Sequence, residues 1–217
     1  MATSLSPEEL AKTLGVSRET LARLQTYVDL LKSWNPRINL VSAASLTDVW
    51  RRHILDTGQL LEYLPEEARV LVDLGSGAGF PGLVLAILGV PEVHLIESDR
   101  RKAEFLREAA RVSRTPVTIH AHRIEAVPGF PADVVTARAL APLAQLLEWS
   151  APFLAERTVC LFLKGAEGLN ELTAASQRWI MQTQVLASLT DPTGHILRVE
   201  GLRAHRPPSG RSNERAR

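Results

Sequence analysis

Val70-Leu71-Val72-Asp73-Leu74-Gly75-Ser76-Gly77-Ala78-Gly79-Phe80-Pro81-Gly82 sets a buried strand, a glycine-rich turn and a helix start in immediate succession. An α/β fold opens a nucleotide pocket in this way, at the carboxyl end of a strand. Val70 to Leu74 supply the strand, and Asp73 sits two residues before the first glycine. Gly75, Gly77 and Gly79 let the backbone take positive φ and approach a ligand with no Cβ in the way. Pro81 is suited to start the following helix. Glycines also make plain turns, but an acid-ended strand, three alternating glycines and a proline form a narrower signal than a lone G-x-G-x-x-G. A second acid supports the pocket. Val93 to Glu97 reads as the next strand, and Glu97 falls roughly twenty residues on, where a carboxylate accepts hydrogen bonds from ribose hydroxyls.

The chain has 217 residues, enough for one full α/β core with a small appended segment. No apolar run approaches the ~20 residues of a membrane span, and Pro7, Glu8 and Glu9 break the basic-then-apolar profile of a signal peptide, so a cytoplasmic protein without membrane contact is expected. The single cysteine, Cys160, lies in an apolar run and reads as strand packing. No Cys/His cluster has metal spacing, and no metal is expected. Net charge is only +1, so the distribution of arginine is more informative than the total. Arg51 and Arg52 are adjacent, and Arg100, Arg101, Lys102, Arg107, Arg111 and Arg114 follow one predicted helix, where interleaved Glu104 and Glu108 favour a solvated face. The last stretch, with Arg211, Arg215 and Arg217 among Pro, Ser and Gly, lacks the apolar surface to fold and suits phosphate contact.

Outward from the glycine run, Ser6-Pro7-Glu8-Glu9 forms a capping box, with Gly15 closing that helix. Ser17 caps a second helix carrying Leu21, Leu24, Val28 and Leu31, which Asn35-Pro36 is expected to end. A third runs from about Thr47 to Leu64. Beyond Val70, strands and helices alternate: a helix over Arg100–Val112, strands near Pro116–His120 and Asp133–Ala137, and a helix over Leu143–Leu154. A strand at Thr158–Leu163, a helix at Glu167–Ser176 and an antiparallel pair around Asp191-Pro192-Thr193-Gly194 complete the chain. The expected architecture is α/β: a Rossmann-like, seven-stranded, mostly parallel sheet with an N-terminal helical extension. Its parts are a helical segment at 1–65 packed on the core, the core at 66–206 and a basic flexible tail at 207–217.

The G-x-G-x-G spacing resembles the first motif of S-adenosylmethionine (SAM) methyltransferases, and the antiparallel finish suits their sheet. Five further words narrow this: W-N-P-R-I-N-L-V-S at Trp34 to Ser42, R-H-I-L-D at Arg52 to Asp56, D-L-G-S-G-A-G-F-P-G at Asp73 to Gly82, R-A-L-A at Arg138 to Ala141, and L-K-G at Leu163 to Gly165. Together they resemble the bacterial 16S rRNA guanine-N7 methyltransferase family called RsmG, formerly glucose-inhibited division protein B. The resemblance is strong from about Leu21 to Gly165. It implies a class I SAM-dependent methyltransferase that modifies the decoding-region loop of 16S rRNA in the 30S ribosomal subunit; small size and the absence of an obvious coiled coil suggest a monomer. It also implies site roles. Gly75 and the loop through Gly77 and Gly79 face the methionine end of SAM, Phe80 shapes the pocket, and Glu97 holds the ribose. Ile124 and Glu125 flank the adenine, Ile124 standing where many relatives carry Ala or Val. Arg138 reaches the pocket, and Lys164, after the fifth strand, is with Arg52 and His53 a candidate substrate contact.

Guanine N7 has a free lone pair at neutral pH, so attack on a sulfonium methyl needs no general base, only alignment and preorganised electrostatics. The chain has neither an N-P-P-Y-like block nor a cysteine pair of the kind used for other RNA positions. Arg52, His53 and Asp56 share one helical segment. Arg52 and Asp56 have the spacing of an ion pair, His53 that of a satisfied imidazole, and a functional role has Arg52 or His53 touching substrate phosphate or base. The amide of Asn39 is expected to fix the loop after the second helix. For Arg138 and Lys164 the plain alternative is strand-end charge paired with Asp133 or Glu167. Of the tryptophans, Trp50 beside Arg51 and Arg52 is the candidate for base stacking. Two other functions share some of these features. An NAD-dependent oxidoreductase uses the strand, glycines and Glu97 but wants G-x-G-x-x-G, and a noncatalytic RNA-binding module uses only the basic surfaces.

Overall fold

The computed structural model describes residues 4–204. The strands are β1 (Val70–Leu74), β2 (Glu92–Ile96), β3 (Thr118–His120), β4 (Ala132–Arg138), β5 (Leu154–Lys164), β6 (Trp179–Ala187) and β7 (His195–Ala204). They form one seven-stranded sheet in the order β3-β2-β1-β4-β5-β7-β6. The first five pair in parallel, and β7 runs antiparallel to both β5 and β6. The strand order reverses beside β1, between β2 and β4. A crevice opens there at the carboxyl ends of the strands, where open α/β sheets bind ligands.

Side-chain alternation builds two cores from the same strands. On one face Leu71, Val93, Leu95, Val134, Leu161 and Ile196 pack under the N-terminal helices. On the other, Val72, Leu74, Ile96, Val135, Cys160 and Phe162 pack under α7 (Leu143–Ser150) and α8 (Gly168–Ala175). The first face is covered by α1 (Pro7–Leu14), α2 (Arg18–Ile38), α5 (Gly82–Ile87) and α6 (Arg100–Val112). Leu10, Leu24, Tyr27, Val28 and Leu31 belong to this core and are wholly buried, so the N-terminal helices share one core with the sheet.

Local chemistry explains the boundaries. The Ser6 capping box forms as expected, and Gly15 closes α1 with φ 64°. Pro36 does not end α2. The helix runs one turn further to Asn39, which takes φ 47° and returns its N–H to the Asn35 carbonyl. Proline within the last turn forfeits one hydrogen bond, and the αL residue after it does the terminating. The loop is fixed by the Asn35 amide, which bridges the N–H and C=O of Val41 at 2.9 and 3.1 Å, rather than by the Asn39 amide.

The continuous helix expected from Thr47 to Leu64 is instead broken into pieces. After α3 (Ala43–Leu46) come a π-helical turn over Trp50–Leu55, a single turn α4 (Asp56–Gly58) and a 3₁₀ turn over Gln59–Tyr63. The Asp56 N–H reaches the Arg51 carbonyl five residues back. Such π turns re-aim side chains and recur at functional sites. Among the described residues no helix is long and apolar enough to cross a membrane. The basic tail expected at 207–217 lies outside the described residues.

Candidate active site

The loop after β1 follows its glycines. Gly75, Gly77 and Gly79 take φ values of 64°, 56° and 97°. Pro81 stands just before the first helical residue rather than within α5. Gly82 is required by packing, because a Cβ there would lie 2.5 Å from Leu95 and 2.6 Å from Asp73. The loop is held from two sides. Tyr27 on α2 is fully buried and donates its hydroxyl to the Ala78 carbonyl at 2.6 Å. Glu97, 7% exposed, accepts from Gly77 N–H at 2.8 Å and from Asp99 N–H at 2.7 Å. A carboxylate has about four lone-pair sites, so two stay open.

A cleft of about 320 Å³ opens above this loop. It is lined by Gly75, Gly77, Phe80, Glu97, Ile124 and Glu125, with Arg138 on its wall. Trp149 also lines it and donates its indole N–H to Glu125 at 2.9 Å. Trp149 was not among the expected pocket residues, its only signal in the sequence being an aromatic on the predicted helix from Leu143. Leu40 and Val41, from the loop after α2, close another side. The volume falls in the range of small-ligand sites, ~300–1,000 Å³. The apolar flank at Ile96, Ile124 and Leu140, with carboxylates at Glu97 and Glu125, suits a purine nucleoside bearing a positively charged sulfur.

Two expected residues are not on this cleft. Asp73 is wholly buried under the loop, where its Oδ1 accepts from the Thr136 hydroxyl at 2.8 Å. Burial pushes its carboxyl up to about 6. Gly79 shapes the loop from behind, its α-carbon facing Leu83 and Leu106.

Arg138, at the end of β4, is the hub of the site. Its guanidinium donates to Asp56 Oδ2 at 3.2 Å, to the Arg52 carbonyl at 3.2 Å and to His53 Nδ1 at 2.8 Å. It also lies 4.7 Å from the centre of the Phe80 ring. The expected Arg52–Asp56 pair is replaced: Asp56 serves Arg138, Gln59 and Thr190, and the Arg52 side chain is exposed. The π turn rotates Asp56 inward, a register no i,i+4 count can supply.

His53 is buried and stacks on Phe80 at 4.7 Å and 15°. A guanidinium only donates, so Nδ1 must accept and the ring proton sits on Nε2. Nε2–H then reaches Ser45 Oγ at 3.0 Å, and the Ser45 proton goes to the Ser42 carbonyl at 2.9 Å. Burial, then Arg138 and Arg52, lower its pKa to about 3. The ring is a neutral prop for Arg138. Trp50 is buried in the first core and offers no face for base stacking.

A second cleft of about 500 Å³ adjoins the first and shares Arg138, Ala139 and Leu140 with it. Lys164, at the end of β5, lines it and pairs with Glu171 at 2.6 Å, not with Glu167. Asp133, the other partner considered for these cations, instead accepts from the N–H groups of Arg69 and Val70 at 2.8 Å each. On α6, Arg107 pairs with Glu104 and Arg111 with Glu108, as a solvated face requires.

The sheet order, the glycine loop and the carboxylate after β2 define a class I SAM-dependent methyltransferase. Solved structures agree on the fold. A putative O-methyltransferase from Klebsiella pneumoniae superimposes with a TM-score of 0.58 at 14% identity, covering 90% of this chain and 96% of that one. The ribosomal protein L11 methylase of Lactobacillus delbrueckii gives 0.56 at 18% identity, covering 69% and 79%. The chain belongs to the family described as rRNA small subunit methyltransferase G, which matches residues 20–196. Proteins of that name are 57% identical in Rhodospirillum rubrum, over 90% of this chain and 97% of the relative, and 58% identical in Paramagnetospirillum magneticum, over 89% and 94%.

Proposed function

We propose that this protein transfers the methyl group of SAM to N7 of a guanine in the decoding-region loop of 16S rRNA, in the 30S subunit, as a cytoplasmic monomer. The observation carrying this reading is the pair of adjoining clefts that share Arg138 to Leu140, in a chain of this family. The first suits the methyl donor and the second the acceptor base. The loop from Gly75 through Gly77 and Phe80 would hold the methionine end, with Asp73 and Gly79 shaping that loop from beneath. Glu97 would take the ribose on its two open lone pairs, and Ile124, Glu125 and Trp149 would enclose the adenine.

SAM, when bound, supplies a methyl group on a positively charged sulfur, which a nitrogen lone pair attacks in line. Guanine N7 carries no proton to remove, so the chain needs no base there. His53 Nδ1 is committed to Arg138, and burial pushes the Cys160 thiol up to about 12. Arg138, fixed by Asp56, His53 and Phe80, keeps the wall between donor and acceptor rigid. Arg52 is exposed on the outer side of the π turn and would meet RNA phosphate, while His53 would act only through Arg138. Alignment and exclusion of water are what remain for the protein to provide.

Calorimetry tests the donor cleft. SAM should bind and NAD should not, and Glu97→Ala should weaken SAM roughly tenfold to a hundredfold, the effect of losing hydrogen bonds to a charged group. Binding of NAD, or no binding of SAM, would contradict the reading.

A further inference from the structure

The acceptor cleft holds a hydrogen-bond donor beside an acceptor. Lys164, 9% exposed, donates from Nζ to the Ala141 carbonyl at 2.8 Å and forms an ion pair with Glu171 Oε2 at 2.6 Å. That same Oε2 accepts the Leu143 N–H at 2.6 Å, at the first residue of α7. An ammonium has three donors and a carboxylate two oxygens. One Lys164 proton is therefore uncommitted, and no described residue donates to Glu171 Oε1. Both side chains line the 500 Å³ cleft, whose volume is ample for a purine.

Resting on the activity proposed above, we infer that the Lys164–Glu171 pair reads the Watson–Crick edge of the target guanine. The free ammonium proton goes to O6, and Glu171 Oε1 accepts from N1–H and the N2 amine. Adenine would set its N6 amine against the ammonium and its N1 lone pair against the carboxylate, two repulsive contacts. Guanine is thus the purine that fits. N7 lies on the other edge of the base and stays free. As the methyl arrives, positive charge spreads into the ring and the N1–H and N2–H bonds to Glu171 strengthen. The contact is tighter in the transition state than in the bound ground state, so it raises turnover as well as affinity.

The test uses 30S subunits carrying guanine or inosine at the target position; inosine lacks only the N2 amine. The wild-type protein should lose roughly tenfold in kcat/KM on inosine, the scale of one hydrogen bond to a charged group. Glu171→Gln keeps the length and an oxygen for Leu143 but turns an amide N–H toward the base. Its kcat/KM on guanine should fall roughly tenfold to a hundredfold, and its guanine-to-inosine ratio should approach one. SAM affinity should stay at the wild-type value, while the thermal midpoint falls with the loss of the Lys164 ion pair. Lys164→Met, which removes the same ion pair from the β5 side, should also lose guanine turnover with SAM affinity intact. Wild-type turnover in either variant, or an unchanged guanine-to-inosine ratio in Glu171→Gln, overturns the assignment. Failure of the wild-type protein to methylate guanine N7 at all is a different result, which removes the proposed activity and this assignment with it.

Discussion

His53 shows how much a single side chain's role depends on its surroundings. The R-H-I-L-D word put it near RNA, yet the fold buries it with one nitrogen on Arg138 and the other on Ser45. An unfolded chain protonates the imidazole near its ordinary 6.5, whereas the folded one does so near 3. Between those values the unfolded state binds more protons, so acid destabilises the fold by about 1.4 kcal/mol per pH unit. Asp73 acts in the opposite sense. Its folded carboxyl takes a proton near 6 and its unfolded one near 3.8, so acid stabilises the fold across that interval. The two slopes oppose one another below pH 6 and leave a shallow acid limb. His53→Gln removes one of them. On going from about pH 7 to about pH 5 the variant should gain about 2 kcal/mol relative to the wild-type protein in urea unfolding. A stability difference that does not change with pH would show that His53 titrates normally.

Elements differ in how openly the sequence announces them. Caps, glycines and alternation are local, so α1, α6, β1 and the β6–β7 hairpin lie where the residues put them. The π turn at Trp50–Leu55 and the extra turn of α2 past Pro36 answer to tertiary contacts, which no window of sequence contains. The consequence for the site is direct. The π turn turns Asp56 toward Arg138, and α2 carries Tyr27 to the glycine loop. Tyr27→Phe leaves the Ala78 carbonyl without its buried donor and should cost about 1 kcal/mol in denaturant unfolding, with weaker SAM binding because Ala78 lines the cleft. Wild-type values for both would mean that α2 merely covers the sheet.

At the scale of the molecule, one sheet carries two cores and leaves its carboxyl edge open between them. The lining of the first cleft was largely legible, because Gly75, Gly77, Phe80, Glu97, Ile124 and Glu125 all stand on it. The second cleft was only half legible. Arg138 and Lys164 were named from their words, but their partners Asp56 and Glu171 are 82 positions away and on the next helix, pairings set by topology rather than spacing. With a net charge of +1, whole-molecule electrostatics gives the protein little long-range attraction for RNA. The most direct measurement is nucleoside analysis of 16S rRNA after 30S subunits lacking the modification are incubated with the protein and methyl-labelled SAM. Label is expected in N7-methylguanosine at a single decoding-region position. Label on an exocyclic amine or a ribose, or none on the RNA, would contradict the proposed activity.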